Sequence, residues 1–148
     1  MKELLYSPPA LIIYSMITML FLYFSLPNLN LIHFPFNLIG LVVSLLGLIL
    51  MGKSKKLFIK YKTPLKLEKS TFLIKEGVFS KTRNPMYVGM TTLILGLSVF
   101  STNIIALFVP PAFFLLVSNL YIKKEEILMK DAFGDEYLNY KKSVRRWV

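Results

Sequence analysis

Four long stretches of this chain carry no charged residue, and nothing else in the sequence limits its possible folds so strongly. They run from about Pro9 to Leu26, Phe36 to Met51, Met86 to Phe100 and Ile104 to Ile122. Each holds 15 to 19 residues, the short end of what crosses a hydrocarbon core about 30 Å thick. Their apolar residues form blocks, not the spaced stripe of a soluble amphipathic helix. With 55% hydrophobic residues and a mean hydropathy of +0.57, the composition is too apolar for an ordinary soluble domain. The expected fold is an all-α integral membrane protein. It has about four transmembrane helices in a single membrane domain over residues 1–148, with a cytoplasmic middle loop (53–84) and a cytoplasmic helical tail (123–148).

Charge orients the spans. The loops Asn28–Pro35 and Ser101–Asn103 contain no Lys or Arg. Lys53 to Arg83 holds ten of the 18 basic residues, the tail from Lys123 holds seven, and Lys2 is the last. The positive-inside rule then puts both termini and the middle loop in the cytoplasm. Which membrane is involved stays open. The net charge of +10 borders apolar spans, where anionic headgroups lie. Membrane lipids are therefore expected partners and nucleic acid is not. The first block lacks a small-x-small cleavage site and reads as a retained span.

Counting removes several chemistries. Without cysteine there is no disulfide, thiol nucleophile or thiolate-held metal. A single histidine, His33, in a short apolar connection rules out a histidine triad or multi-histidine metal site, and no metal is expected. Pro8-Pro9 suit a first helical turn. Gly40 and Gly47, seven apart, share a helix face and allow close packing. Pro110-Pro111 inside the fourth block predict a kink, either a simple bend or an opening for a ligand between helices. The last helix is expected to continue through Lys123–Phe133 and break at Gly134. Asp135 then caps a second short helix to about Lys142, with Leu128, Phe133, Tyr137, Leu138 and Tyr140 on an apolar side.

Two regions have the residues for chemistry. Before the third block, Pro85 biases Asn84 toward an extended conformation and holds Arg83 and Asn84 at a helix mouth. Free N–H groups there favour an anion, although a capped span with a snorkelling arginine would look the same. Gly89 and Gly96 let something approach that helix closely. At the end of the fourth block, Glu125-Glu126 are adjacent carboxylates in a basic chain. They either pair with loop lysines or hydrogen-bond ribose hydroxyls or an ammonium group. If the two regions meet, an anion site lies beside two carboxylates, which suits a zwitterionic ligand with a nucleoside end.

The ordered set Gly77-Val78-Phe79, Arg83-Asn84-Pro85-Met86-Tyr87-Val88-Gly89, Glu125-Glu126, Phe133-Gly134-Asp135-Glu136-Tyr137 and Tyr140-Lys141-Lys142 resembles the isoprenylcysteine carboxyl methyltransferase family. That family is related to the membrane phospholipid methyltransferases, and the likeness runs from about Pro64 to Trp147. It implies an S-adenosylmethionine-dependent methyltransferase. Thr71, Phe72, Leu73, Ile74 and Phe79 would lie along the cofactor, with Asn84, Pro85, Met86 and Tyr87 as the next wall. Glu125 and Glu126 would hold its polar part, and Arg83 and Glu126 would serve catalysis. Two positions depart from the pattern. Asn84 stands where the family's familiar form has histidine, and asparagine cannot act as an acid or base near neutral pH. Tyr121 stands where the carboxyl methyltransferases place a substrate-binding arginine, and it is the candidate substrate contact.

The resemblance implies methyl transfer to a lipid-like or small hydrophobic acceptor, of which a prenylcysteine-type carboxylate is one example. Phospholipid amines and small thiols are the alternatives within the enzyme class. From another class, a non-catalytic adaptor could grip anionic lipid through its basic loop.

Overall fold

The computed structural model describes residues 7–64 and 71–148. Lys2, Lys66 and Lys69, counted above for orientation, lie outside them. Helix α1 spans Pro8–Ser25, with its proline pair in the first turn, and a 3-10 turn follows at Pro27–Leu29. Helix α2 spans Leu38–Lys60 and α3 spans Pro85–Phe100. A 3-10 turn at Ile104–Phe108 leads into α4 (Val109–Val117), a π-helical turn (Ser118–Ile122) and α5 (Lys123–Ser143). Among the described residues no strand forms beyond an isolated bridge between Asn30 and Asn103.

Among the described residues, three helical segments are long and apolar enough to cross a membrane: Pro8–Ser25, Leu38–Lys60 and the continuous path Ile104–Ser143. Helix α3 is shorter, with 16 residues and a length of about 24 Å. The outer surface is apolar: Phe21 is 66% exposed and Val42 61%. This is an integral membrane protein.

Two local expectations change. The first part of the expected loop 53–84 is helix, because α2 continues through Lys60. Lysine ends an apolar run but is a good helix former, and Ser54, Leu57 and Phe58 keep one side of this extension packed. The Pro110-Pro111 pair does not kink a helix interior. Asn103 caps the preceding 3-10 turn by accepting from Ile105 N–H at 3.0 Å, and the prolines occupy the first turn of α4, where their missing N–H groups cost nothing. Irregularities fall at the π turn and, as its sequence position predicts, at Gly134 (φ 50°, ψ −125°), which interrupts α5.

Helices α2 and α3 pack antiparallel along a seam of small residues. Gly40 meets Gly96 and Gly47 meets Gly89, with Ser44 between them donating to Leu93 O at 3.4 Å. At the far end Asn103 is fully buried and donates to Asn30 Oδ1 at 2.9 Å and Leu26 O at 3.1 Å, tying the two short loops together. Met19, Met90, Ile94, Phe113 and Val117 join α1, α3 and α4 in one core. A smaller cluster of Leu73, Tyr137 and Tyr140 fastens the tail to the segment before α3.

The seam makes a contrast between two glycines testable. A Cβ at Gly47 would lie 2.6 Å from Gly89 O, whereas one at Gly52 meets nothing within 4 Å. Gly47→Ala is expected to destabilise by about 1–3 kcal/mol, and Gly52→Ala to be neutral or to stabilise by roughly 0.5–1 kcal/mol. Thermal melting of the protein in detergent separates the two.

Candidate functional site

A cavity of about 880 Å³ opens where the segment before α3, the mouth of α3, the π turn and the first turns of α5 come together. That volume is within the range of pockets that hold drug-sized ligands, about 300–1,000 Å³. Its walls combine span residues, Met90, Leu120 and Tyr121, with ionisable ones, Arg83, Lys124, Glu125 and Glu126.

Nearly all of the sequence-derived candidates reach it. Phe72, Leu73, Ile74 and Phe79 line one side, and Asn84, Pro85, Met86 and Tyr87 another, with Arg83, Tyr121, Glu125 and Glu126 between. Thr71 does not. It is exposed, and its N–H donates to Thr63 Oγ1 at 3.1 Å, pinning the segment to the end of α2. Phe72 stacks on Tyr61 with ring centroids 4.4 Å apart, and Phe79 meets Phe58 edge-on at 5.7 Å.

The adjacent carboxylates point to different partners. Successive helical residues are about 100° apart, so Glu125 and Glu126 cannot face the same way. Glu125 accepts a hydrogen bond from Tyr87 Oη at 2.7 Å. Burial pushes its carboxyl above the usual range, and the tyrosine bond only partly opposes this. Glu126 accepts from Arg83 Nη2 at 2.7 Å, Arg146 Nε at 2.8 Å and Arg146 Nη2 at 2.7 Å, and Lys141 Nζ lies 3.5 Å away. Burial would raise its pKa, but the Arg146 bond and the charges of Arg83, Arg146 and Lys141 outweigh that and hold it below the carboxylate range. The side chains of Arg83 and Glu126 are only 7% and 10% exposed. Arg83 Nη1 donates to Lys141 O at 3.0 Å, while Nε is buried without a partner. Of the two alternatives open to the carboxylates, Glu126 takes the ion-paired one, with two arginines and one tail lysine in place of loop lysines.

Sequence reasoning had no means of finding Arg146, one of four basic residues in Lys141–Arg146. Only the chain's return to the mouth of α3 separates it from the others. Tyr137 and Tyr140, named in the ordered motifs and on the apolar side of the tail but given no site role, also line the cavity. Tyr140 Oη donates to Phe79 O at 2.6 Å, and burial pushes Tyr137 up to about 12, so its hydroxyl keeps its proton.

The lining fits S-adenosylmethionine, with aromatic walls for a nucleoside and a buried carboxylate for a cationic or hydroxylated part.

A family model described as phospholipid methyltransferase matches residues 35–136, more than half of the chain. The chain belongs to the phospholipid methyltransferase family. The match begins before α2, well ahead of the Pro64 where the motif likeness starts, so the α2–α3 seam lies inside the family's domain. It ends within α5, before Arg146. An uncharacterized protein of Haemophilus influenzae is 33% identical over 63 residues, which is 43% of this chain and all of that protein. With its apolar helices, this member of the phospholipid methyltransferase family is a membrane methyltransferase.

Removing the charge of Glu126 leaves two arginines unpaired near the cavity. Glu126→Gln is expected to destabilise the fold by about 3 kcal/mol, the lower end for a broken buried pair, because Arg146 is 35% exposed. The folded pKa lies below the unfolded value near 4.5, so the unfolded chain binds more protons in that window. This contribution is present above about pH 4.5 and is lost as pH falls through the folded pKa. Melting temperature against pH should show that acid limb in the parent protein and a flatter one in the variant.

Proposed function

We propose that this protein transfers a methyl group from S-adenosylmethionine to a lipid-like or small hydrophobic acceptor at the cytoplasmic side of its membrane. The observation that carries this reading is the mixed lining of the cavity. Residues of the spans and the charged residues beyond them share one chamber, as a polar cofactor and an apolar acceptor require.

When bound, the cofactor supplies an electrophilic methyl on a sulfonium. Glu125 is the residue to hold its polar part, with Phe72, Leu73, Ile74 and Phe79 along it and Asn84, Pro85, Met86 and Tyr87 as the facing wall. Arg83 and Glu126 hold each other and keep the mouth of α3 against α5. Such fixed walls contribute through orientation, which supplies up to about 7–11 kcal/mol in favourable cases, and by excluding water.

Membrane lipids are the proposed surroundings and a hydrophobic or lipidated molecule the proposed acceptor. Tyr121 lines the cavity on the side of the spans and would contact it. A prenylcysteine-type carboxylate loses the cation it would otherwise meet there. An amine or thiol acceptor must shed a proton, and Glu125, whose carboxyl is raised by burial, is the group suited to take it. That favours the phospholipid-amine or thiol alternative over the carboxylate.

Purified protein in detergent should be stabilised by S-adenosylhomocysteine, by about 2.7 kcal/mol at a hundredfold excess over Kd. Glu125→Gln should weaken that binding about tenfold or more, the loss of a charged hydrogen bond. With methyl-labelled cofactor and a total membrane extract, label should enter a headgroup, an ester or a thioether. Absence of both stabilisation and labelling would leave the lipid-gripping adaptor as the better reading.

A further inference from the structure

Arg146 forms no part of the cavity wall, yet it holds two groups that do. Its guanidinium grips both oxygens of Glu126, Nε to Oε1 at 2.8 Å and Nη2 to Oε2 at 2.7 Å. Its backbone carbonyl accepts from Asn84 Nδ2 at 2.9 Å and from Thr82 Oγ1 at 3.1 Å. One position therefore ties the mouth of α3 to the first turn of α5 with a side chain and a main chain at once. The adjoining Arg145 carbonyl accepts from Arg83 N–H at 3.0 Å and reinforces the tie.

Counting donors and acceptors gives the consequence. A carboxylate has about four lone-pair directions. Arg83 and Arg146 fill those of Oε1 on Glu126. Arg146 takes one on Oε2, and Lys141 Nζ lies 3.5 Å from that oxygen. Three hydrogen bonds and the nearby Lys141 charge leave Glu126 little to offer a ligand. The amide nitrogen of Asn84 is committed to Arg146, so its oxygen is the uncommitted end. On Arg83 each terminal nitrogen makes one hydrogen bond, and Nε is buried without a partner.

We propose that Arg146 is a positioning residue of the methyl-transfer site: by engaging both oxygens of Glu126 and fixing the Asn84 amide, it leaves Glu125 and Asn84 Oδ1 to meet the bound cofactor. This rests on the function proposed above. Two neighbouring carboxylates would otherwise compete for the same cationic groups, and Arg146 removes one from the competition.

The test is calorimetric titration of S-adenosylhomocysteine into the full-length protein in detergent, with melting followed in parallel. Arg146→Gln is expected to weaken binding about tenfold, equivalent to about 1.4 kcal/mol. Arg146→Lys keeps the charge without the two-point grip and is expected to weaken it about threefold. Trp147→Leu is the control. It removes the ring packed on Phe114 at 4.3 Å, loosening the same segment while keeping Arg146. It should lower the melting temperature yet hold affinity within about twofold, a change of roughly 0.4 kcal/mol. Should Arg146→Gln fail to fold, the Lys variant against Trp147→Leu decides on the same criterion. Equal losses in the Arg146 variants and Trp147→Leu would reduce the segment to a structural cover and overturn the proposal. Unchanged affinity in Arg146→Gln and Arg146→Lys, with the parent binding, overturns this inference alone. No binding by the parent overturns the functional reading and this inference with it.

Discussion

Helices in a bilayer gain little from hiding apolar surface, because the lipid is as apolar as they are, and contact depends on how closely two backbones approach. The seam between α2 and α3 answers that constraint. Gly40 and Gly47 face Gly96 and Gly89 with so little room that a methyl group at any of them would collide with the opposite helix. Because α2 is long and α3 short, the seam holds the mouth of α3 at a fixed depth beside the end of α2. The segment running from Thr71 to Asn84 hangs between these two ends, and the cavity wall is built on it.

Above the seam a different physics takes over. The ionic cluster around Glu126 gathers three cations on one carboxylate and joins a residue before α3, one at the start of α5 and two near the end of the tail. A pair half removed from water is costly to break and modest to form, so its effect is chiefly to select one arrangement of these segments. Glu125, one residue away, escapes the cluster and keeps a single neutral partner, Tyr87. Two identical side chains thus acquire opposite electrostatic characters from the helix turn that separates them.

Much of this was legible in the sequence for specific reasons. Uncharged blocks of spanning length have one common solution in a bilayer, so the helical membrane fold followed from Pro9–Leu26 and its three counterparts. The likeness running from about Pro64 to Trp147 brought Phe72, Phe79, Arg83, Asn84, Tyr87 and Glu125 into one reading, and the fold gathers them around one cavity. The failures have physical causes too. Lysines from Lys53 to Lys60 signal the end of an apolar stretch but not of a helix, so α2 was read too short. Pro110-Pro111 were read as interior because the 3-10 turn before them has the same apolar composition as the helix after it. Thr71 was counted with its neighbours, but its N–H is tied to Thr63 at the end of α2 and the residue is left exposed. Arg146 is invisible locally, since what distinguishes it from Arg145 is made only by tertiary contact.

The π-helical turn at Ser118–Ile122 adds an evolutionary dimension to the site. Such a turn takes up one residue more than an α-helical turn and confines the excess to a single bulge. A one-residue change of length elsewhere in this long helical path would rotate every later side chain by about 100° and send Glu125 away from Tyr87. Loss of a residue within the bulge would tighten it to an ordinary turn and leave both carboxylates aimed as they are. The span therefore has a place where its length can change without turning the two carboxylates proposed for the site.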